Sequence, residues 1–383
     1  MTARRSQLLS LGFFVVLLAV TGAGYGLFRA AQTAVLESQS GSISEFTLDP
    51  SAPGFRAFTE ATPTALVLHT AISGGTGAEL VGVTLLTAAD GDSGGTVVTI
   101  PRTFTDPTSS GTSLAELFRT QGLDATTDEL RTSLGLGFGD IVVLDASSWT
   151  TLMTADLPLQ LSLRDDLIEL SEDGSAQRVV VARGTRDFNL VEIARIAAHR
   201  NPGEPALGVA LRHQQIWQAW IARTAGTSER PELLQLETGF VDLIGTLANA
   251  EVSYRTIPTV TESQPGGADT RYLAVPGDIS DLISAIVPFP EQPFPGARPS
   301  VLLLDTSGGG VDQGPVVSSI TRAGGLVAIV GNSEQDATPT NEVQLHDVAA
   351  SQVAQAIADE LGVAPPRSVP LDDSTAAITV VIG

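Results

Sequence analysis

The chain has 383 residues, enough for about two ordinary domains; 43% of them are hydrophobic and 17% charged, with 38 glycines and 22 prolines, which describes a globular, loop-rich protein. It has no cysteine, which excludes disulfides, thiolate metal sites and thiol catalysis, and no lysine, which excludes Schiff-base chemistry and a P-loop. Forty-three acidic residues against 21 arginines set a formal charge of −22, so a polyanion meets repulsion and no nucleic-acid partner is expected.

The first thirty residues carry the compartment signal. Ser6 to Phe28 is a run of 23 residues without a charge, with Arg4 and Arg5 before it and Arg29 after it. That length lets a helix cross a hydrocarbon core about 30 Å thick. The arginine pair places the short N-terminal flank in the cytoplasm and everything beyond Ala30 outside. A cleaved signal peptide would show a shorter apolar stretch and a clear small-residue exit, whereas TGAGYGLFRAA offers a weak one. Residues 1–30 are therefore expected to be an uncleaved signal anchor, in contact with the cell membrane through residues 6–28. The Ser-, Thr-, Gly- and Pro-rich stretch 31–63 reads as a tether.

Short β-branched runs follow at Ala65–His69, Leu80–Leu86, Thr96–Ile100 and Ile141–Leu144, each bounded by Gly, Asp or Pro. Apolar residues at helical spacing lie between them at Ser113–Thr120 and Thr127–Leu134. The pattern continues with a strand at Gln177–Val181 and helices at Leu190–His199 and Leu207–Thr224. The last of these gathers Leu211, Ile216, Trp217, Trp220 and Ile221 on one broad face suited to core packing. Strands alternating with helices predict a layered α/β domain over 64–290. The four histidines, at 69, 199, 213 and 346, contain no HxxxH pair, which excludes a zincin-type site.

Pro288–Pro299 (PFPEQPFPGARP) cannot continue a helix or a central strand, so 291–299 is the expected linker to a second domain at 300–383. There, strands are expected at Val301–Leu304, Leu326–Val330, Val343–Leu345 and Ala377–Ile382, and helices at Gly314–Ala323 and Val348–Leu361. The LDTSGGGVDQG loop is similar to a phosphate-cradling glycine turn without the lysine or the spacing, and Gly308–Gly310 reads as a flexible strand-to-helix connection. His346 and Asp347 stand where a helix cap is expected.

The anchor, then GAELVGVTLLTAADGDSGGTVVTIPRTF, then ALRHQQIWQAWIA, then a terminal unit with VLLLDTSGGG, VSSITRAGGLVAIVGNS and a final ITVVIG, together resemble the LytR-CpsA-Psr (LCP) proteins of Gram-positive envelopes, with a LytR C-terminal domain. The resemblance implies an LCP-like α/β sandwich around a central mixed sheet, followed by a small α/β domain. It also implies transfer of a glycopolymer from a polyprenyl diphosphate carrier to peptidoglycan. Such a transfer needs arginines on the diphosphate, usually a divalent cation on carboxylates, and an apolar slot for the lipid tail.

Position by position, the family's IPRD appears as Ile100, Pro101, Arg102 and Thr103, which keeps the arginine and loses the carboxylate. The aspartate after the first core strand falls near Ala71, and the arginine and aspartate introducing the next strand fall near Gly77 and Glu79. The paired arginines after the helix match Ala198 and Arg200. The later Asp, Arg and Arg-Gln positions match Ala206, Val209 and Arg212-His213, with Gln214 in reach of the displaced glutamine's role. The implied phosphate-binding candidates are Arg102, Arg200, Arg212 and Gln214, the metal candidate is Glu79, and Asp90, Asp92 or Asp106 could add a carboxylate from a shifted position.

This loss of carboxylates favours a binding or scaffold protein that keeps the slot and holds a polyprenyl-linked glycan, peptidoglycan or a catalytically intact LCP protein, with no cofactor. The alternative is a divergent phosphotransferase or pyrophosphatase that uses Arg102, Arg200 and Arg212 with Mg²⁺.

Overall fold

The computed structural model describes residues 52–73, 77–88, 94–153, 158–171, 176–225, 238–263, 270–333, 340–370 and 376–383. The chain divides into two units, Met1–Phe55 and Arg56–Gly383. The anchor expected over residues 6–28 lies outside the described residues, as do Asp90 and Asp92. Among those described, no helix is long and apolar enough to cross a membrane.

The second unit begins with β1 (Arg56–Phe58), β2 (Thr64–Ser73), β3 (Gly77–Ala88), β4 (Gly95–Pro101), β5 (Phe104–Thr105), α1 (Leu114–Leu134), β6 (Asp140–Leu144) and α2 (Ala146–Leu152). Two hairpins' worth of strand follow, β7 (Leu159–Leu163), β8 (Leu167–Leu170), β9 (Gln177–Val181) and β10 (Gly184–Phe188), then α3 (Leu190–Ala198), α4 (Ala206–Thr224) and α5 (Thr238–Ala248). Next come β11 (Val252–Thr256), β12 (Thr259–Glu262), β13 (Arg271–Ala274) and α6 (Pro276–Ile286). The terminal part holds β14 (Ser300–Asp305), α7 (Gln313–Arg322), β15 (Leu326–Asn332), β16 (Glu342–Leu345), α8 (Ser351–Leu361), β17 (Arg367–Ser368) and β18 (Ile378–Ile382).

The central sheet has the order β11-β4-β3-β2-β6, with β3 antiparallel to both neighbours and the two outer pairs parallel. Its inner strands β2, β3 and β4 read as apolar runs because both faces are covered, and Leu80 to Ala88 of β3 are all buried. On one face Val67, Leu86 and Val97 meet Trp149 of α2, Ile193 of α3, Trp217 of α4 and Phe240 of α5. On the other, Leu68, Leu85 and Ile100 meet Leu114 and Leu130 of α1 and Ile283 of α6. Each such side chain removed from water stabilises the fold by roughly 1.5–3 kcal/mol. The two helices expected at 113–120 and 127–134 form as one element broken at Gly122, whose φ of 86° lies in the region that favours glycine.

The terminal sheet runs β1-β15-β14-β18-β16-β17, and α7 and α8 cover one face of it through Ile320, Ala354 and Ile357. Two boundaries differ from the sequence expectation. The stretch expected as tether supplies β1, antiparallel to β15, and Thr59 and Thr62 hydrogen-bond to Ala328 and Phe289. The expected linker is packed: Arg298 donates to the Gly135 carbonyl at the end of α1 and to the Thr321 and Gly325 carbonyls at the end of α7. Proline stops a segment from joining a helix or ladder, yet leaves its carbonyls and side chains free to pack. Asp347 caps a short 3-10 turn, Val348–Ala350, that precedes α8. His346 instead bonds Thr379 on β18.

Candidate functional site

Because β2, β4, β6 and β11 share one direction, their carboxyl ends reach the same edge of the central sheet, where open α/β sheets place ligands. Arg102 follows β4 at this edge, half-buried, and its carbonyl accepts the Ala115 N–H at the start of α1. Gln214 reaches the same end of β4 from α4, where its Oε1 lies 3.5 Å from the Thr99 hydroxyl. Glu79 stands across from Ala71 near the β2–β3 hairpin and is exposed. Arg200 follows α3 and is exposed.

Arg212 is held differently. It is 8% exposed and pairs with Glu204 through both carboxylate oxygens, at 2.5 and 3.2 Å. Its remaining contacts go to the Ile196 and His199 carbonyls at the end of α3. A cation on these carbonyls also meets the negative end of the helix dipole. Asn201 extends the corner, accepting from Ile168 N–H and donating to the Asp166 carbonyl. The guanidinium that the family resemblance assigns to phosphate is thus an internal clamp joining α3, α4 and β8. Of the four phosphate candidates, the structure brings Arg102 and Gln214 to one strand end, leaves Arg200 at the surface and turns Arg212 inward.

Where α4 crosses the sheet the interior is closely packed. Trp149, Trp217, Trp220, His69 and His213 occupy that space, none more than 1% exposed. The two imidazoles lie 4.1 Å apart between centroids, and His69 stacks on Trp149 at 5.5 Å. His213 Nε2 donates to the Ala197 carbonyl at 2.7 Å, and His69 Nε2 bonds the Thr84 hydroxyl at 2.8 Å. Both Nδ1 atoms are buried without a partner. Burial pushes His213 down to about 4, with the Ala197 carbonyl opposing and Arg212 adding, and burial with the His213 neighbour holds His69 well below the usual imidazole range. Gly82 of β3 makes room for this layer: a Cβ there would lie 2.7 Å from His213 Nδ1.

Among the described residues no carboxylate cluster forms a metal site: no three His, Asp or Glu side chains gather as ligands, and Asp106 accepts from the Thr108 N–H and hydroxyl to close its own turn. In the terminal unit Asp305 occupies the glycine turn itself. It accepts from Ser307 N–H and Oγ and from Gly309 N–H, so the loop's donors face an internal carboxylate. Burial pushes Asp305 up, but the bonds from Ser307, Gln313 and Gly309 outweigh it and hold the group below the usual range.

Beside the Arg212–Glu204 pair lies a cavity of about 380 Å³ between α4 and the β7–β8 connection, with Gln215 and Gln218 on its helical wall and Leu163 opposite. Sequence reasoning missed Glu204 and these glutamines. Glu204 precedes Arg212 by eight positions, outside the spacing at which helical side chains meet.

No protein-family model matches the sequence, and no curated protein does. Among solved structures, TagV of Bacillus subtilis is 15% identical, covering 58% of this chain and 96% of its own at a TM-score of 0.46. TagT bound to LI-WTA is 14% identical over 63% of this chain and 91% of its own, with a TM-score of 0.45. TagT, also called YwtF, with bound octaprenyl pyrophosphate lipid gives the same identity and coverage at 0.42. At these scores the likeness assigns this chain no ligand and no reaction. YwtF is described as a LytR-CPS2A-psr family protein, the family that the motif order of this chain resembles.

Proposed function

We propose that this chain is a catalytically inactive LCP-like protein of cell-envelope assembly, anchored in the cell membrane by residues 6–28 with its remaining domains outside, and that it binds the glycan of a polyprenyl-linked glycan or of peptidoglycan. The observation that carries the reading is the clamp at Arg212. Diphosphate transfer needs preorganised positive charge aimed at the reacting phosphate, and losing one such donor costs about 3 kcal/mol in the transition state. Here Glu204 neutralises Arg212, and Ala198 and Val209 stand at two further arginine positions of the resembled family. Exposed Glu79 belongs to no group of three or more His, Asp or Glu side chains among the described residues that could hold Mg²⁺. An active LCP protein is the second partner that a binding role accommodates.

The test is turnover by the full chain in detergent, supplied with a prenyl diphosphate and Mg²⁺. The expected result is phosphate release at background level, unchanged in Arg102→Ala. Mg²⁺-dependent release that falls in Arg102→Ala would overturn the reading in favour of the phosphotransferase or pyrophosphatase alternative.

A further inference from the structure

The central and terminal sheets end in four edge strands, and three of them are blunted. β1 and β17 close the terminal sheet with three and two residues, and β11 closes one side of the central sheet with the exposed Arg255 in it. β6 closes the other side without any of these devices. Its five residues, DIVVL, carry no charge from Ile141 to Leu144, no proline and no break in register against β2. A bare edge of this kind is a template for a further strand.

The packing of β6 leaves that template open. Val142 and Leu144 lie in the core with Trp149, whereas Ile141 and Val143 stand on the opposite face, 38% and 39% exposed. Their partners on β2, Leu66 and Leu68, are fully buried, so the cover of that face stops one strand short of the edge. A strand paired on one side turns the N–H and C=O of every second residue away from its neighbour. Among the described residues no hydrogen bond reaches Ile141–Leu144 from any element but β2.

Charge selects the occupant. Asp140 opens the strand, Asp145 follows it as the cap of α2, and exposed Glu291 lies beside Gly139. Between Arg131 and Arg164 the sequence has no basic residue. A second copy would bring the same acids and another formal charge of −22 to this edge, which opposes pairing. A strand with basic residues at its ends and β-branched residues between them sets base against acid and aliphatic against aliphatic.

We infer that the outer edge of β6 is a docking site for a cationic, extended segment of another protein, which joins the five-stranded central sheet as a further strand. The site is independent of the glycan-binding reading and of the residues at the strand ends.

The experiment titrates the full chain in detergent with the capped synthetic peptide RVTVTVR, read by calorimetry and by amide hydrogen exchange. Saturable binding is expected, weaker as salt is raised, with exchange slowed in residues 141–144. The charge-matched RPGPGPR, whose prolines keep it out of a ladder, and the charge-reversed EVTVTVE are expected not to bind. Val143→Arg is expected to weaken RVTVTVR binding by about tenfold, and Val143→Thr to retain it, both without moving the thermal midpoint. Ile141→Arg gives the same reading from the neighbouring exposed position should Val143→Arg disturb the fold. Absence of saturable binding at about 1 mM peptide, equal binding of RPGPGPR, preference for EVTVTVE, or indifference to both arginine variants would overturn the site. Self-association of the chain in sedimentation that Val143→Arg abolishes would place a second copy on the edge and overturn the cationic partner.

Discussion

Two arginines hold this molecule together in opposite ways. Arg212 closes the α3–α4 corner with a carboxylate, Glu204, and two helix-end carbonyls. Arg298 closes the seam between the central and terminal sheets with carbonyls alone, those of Gly135, Thr321 and Gly325. Burial pushes the Arg298 guanidinium below the usual arginine range, and among the described residues no acidic group offsets it. Both use the negative end of a helix to solvate a cation. Only the first commits a carboxylate, and that commitment removes the charge a phosphate would need.

The comparison breaks first at Glu204. Glu204→Ala strands a buried guanidinium, and removing one partner of a buried pair costs about 3–5 kcal/mol. Denaturant unfolding is expected to show a loss near 4 kcal/mol, the largest of any single change considered, with the double change Glu204→Leu/Arg212→Met recovering most of it. Recovery would establish that the pair serves packing. A small loss in Glu204→Ala would mean that the carbonyls alone satisfy Arg212, as they do Arg298.

Acid tests the same corner from beneath. His213 titrates near 6.5 when unfolded and at about 4 when folded, so the neutral imidazole is the form the fold favours. Its contribution is complete above pH 6.5 and is lost as pH falls from 6.5 toward 4. A lowering of that size corresponds to roughly 3 kcal/mol. His69, lowered in the same direction, steepens the loss. Unfolding measured at pH 7 and at pH 4.5 should show this decline, and His213→Leu should flatten it. An equally steep decline in that variant would place the acid sensitivity elsewhere.

Much of the central sheet was legible because burial on both faces leaves β2, β3 and β4 as plain apolar runs, and β6, though exposed at Ile141 and Val143, keeps β-branched residues in sequence. The helix starts near 190 and 206 lie where apolar spacing placed them, and the structure adds the boundary signals, Asn189 capping α3 and Pro205 preceding α4. β1 was not legible, because three residues with Phe58 82% exposed carry no pattern and gain their order from pairing with β15. β7 was missed although its alternation of buried leucines with exposed Gln160 and Ser162 carries a strand signal. The site was less legible than the fold. Arg102, Arg200 and Arg212 look alike as letters, and only three-dimensional neighbours separate an exposed arginine from one clamped by Glu204. Likewise, the tryptophans of α4 read correctly as core, but the closed aromatic layer that they form depended on His69 and Trp149 arriving from other elements.

Arg298 gives the smallest of these effects and the sharpest contrast. Arg298→Met keeps the length of the side chain and removes the donors, so the Gly135, Thr321 and Gly325 carbonyls lose a charged partner while water can reach part of the seam. Bonds to a charged donor contribute about 1.5–3 kcal/mol in isolation, and partial rehydration returns some of that. The expected loss is about 2 kcal/mol, accompanied by faster hydrogen exchange at the ends of α1 and α7 and unchanged exchange in α3. Because no carboxylate takes part, the loss should be the same at low and high salt. A strong salt dependence would show that Arg298 answers to a charge outside its carbonyl cage, and the distinction between the two arginines would then be one of distance and not of kind.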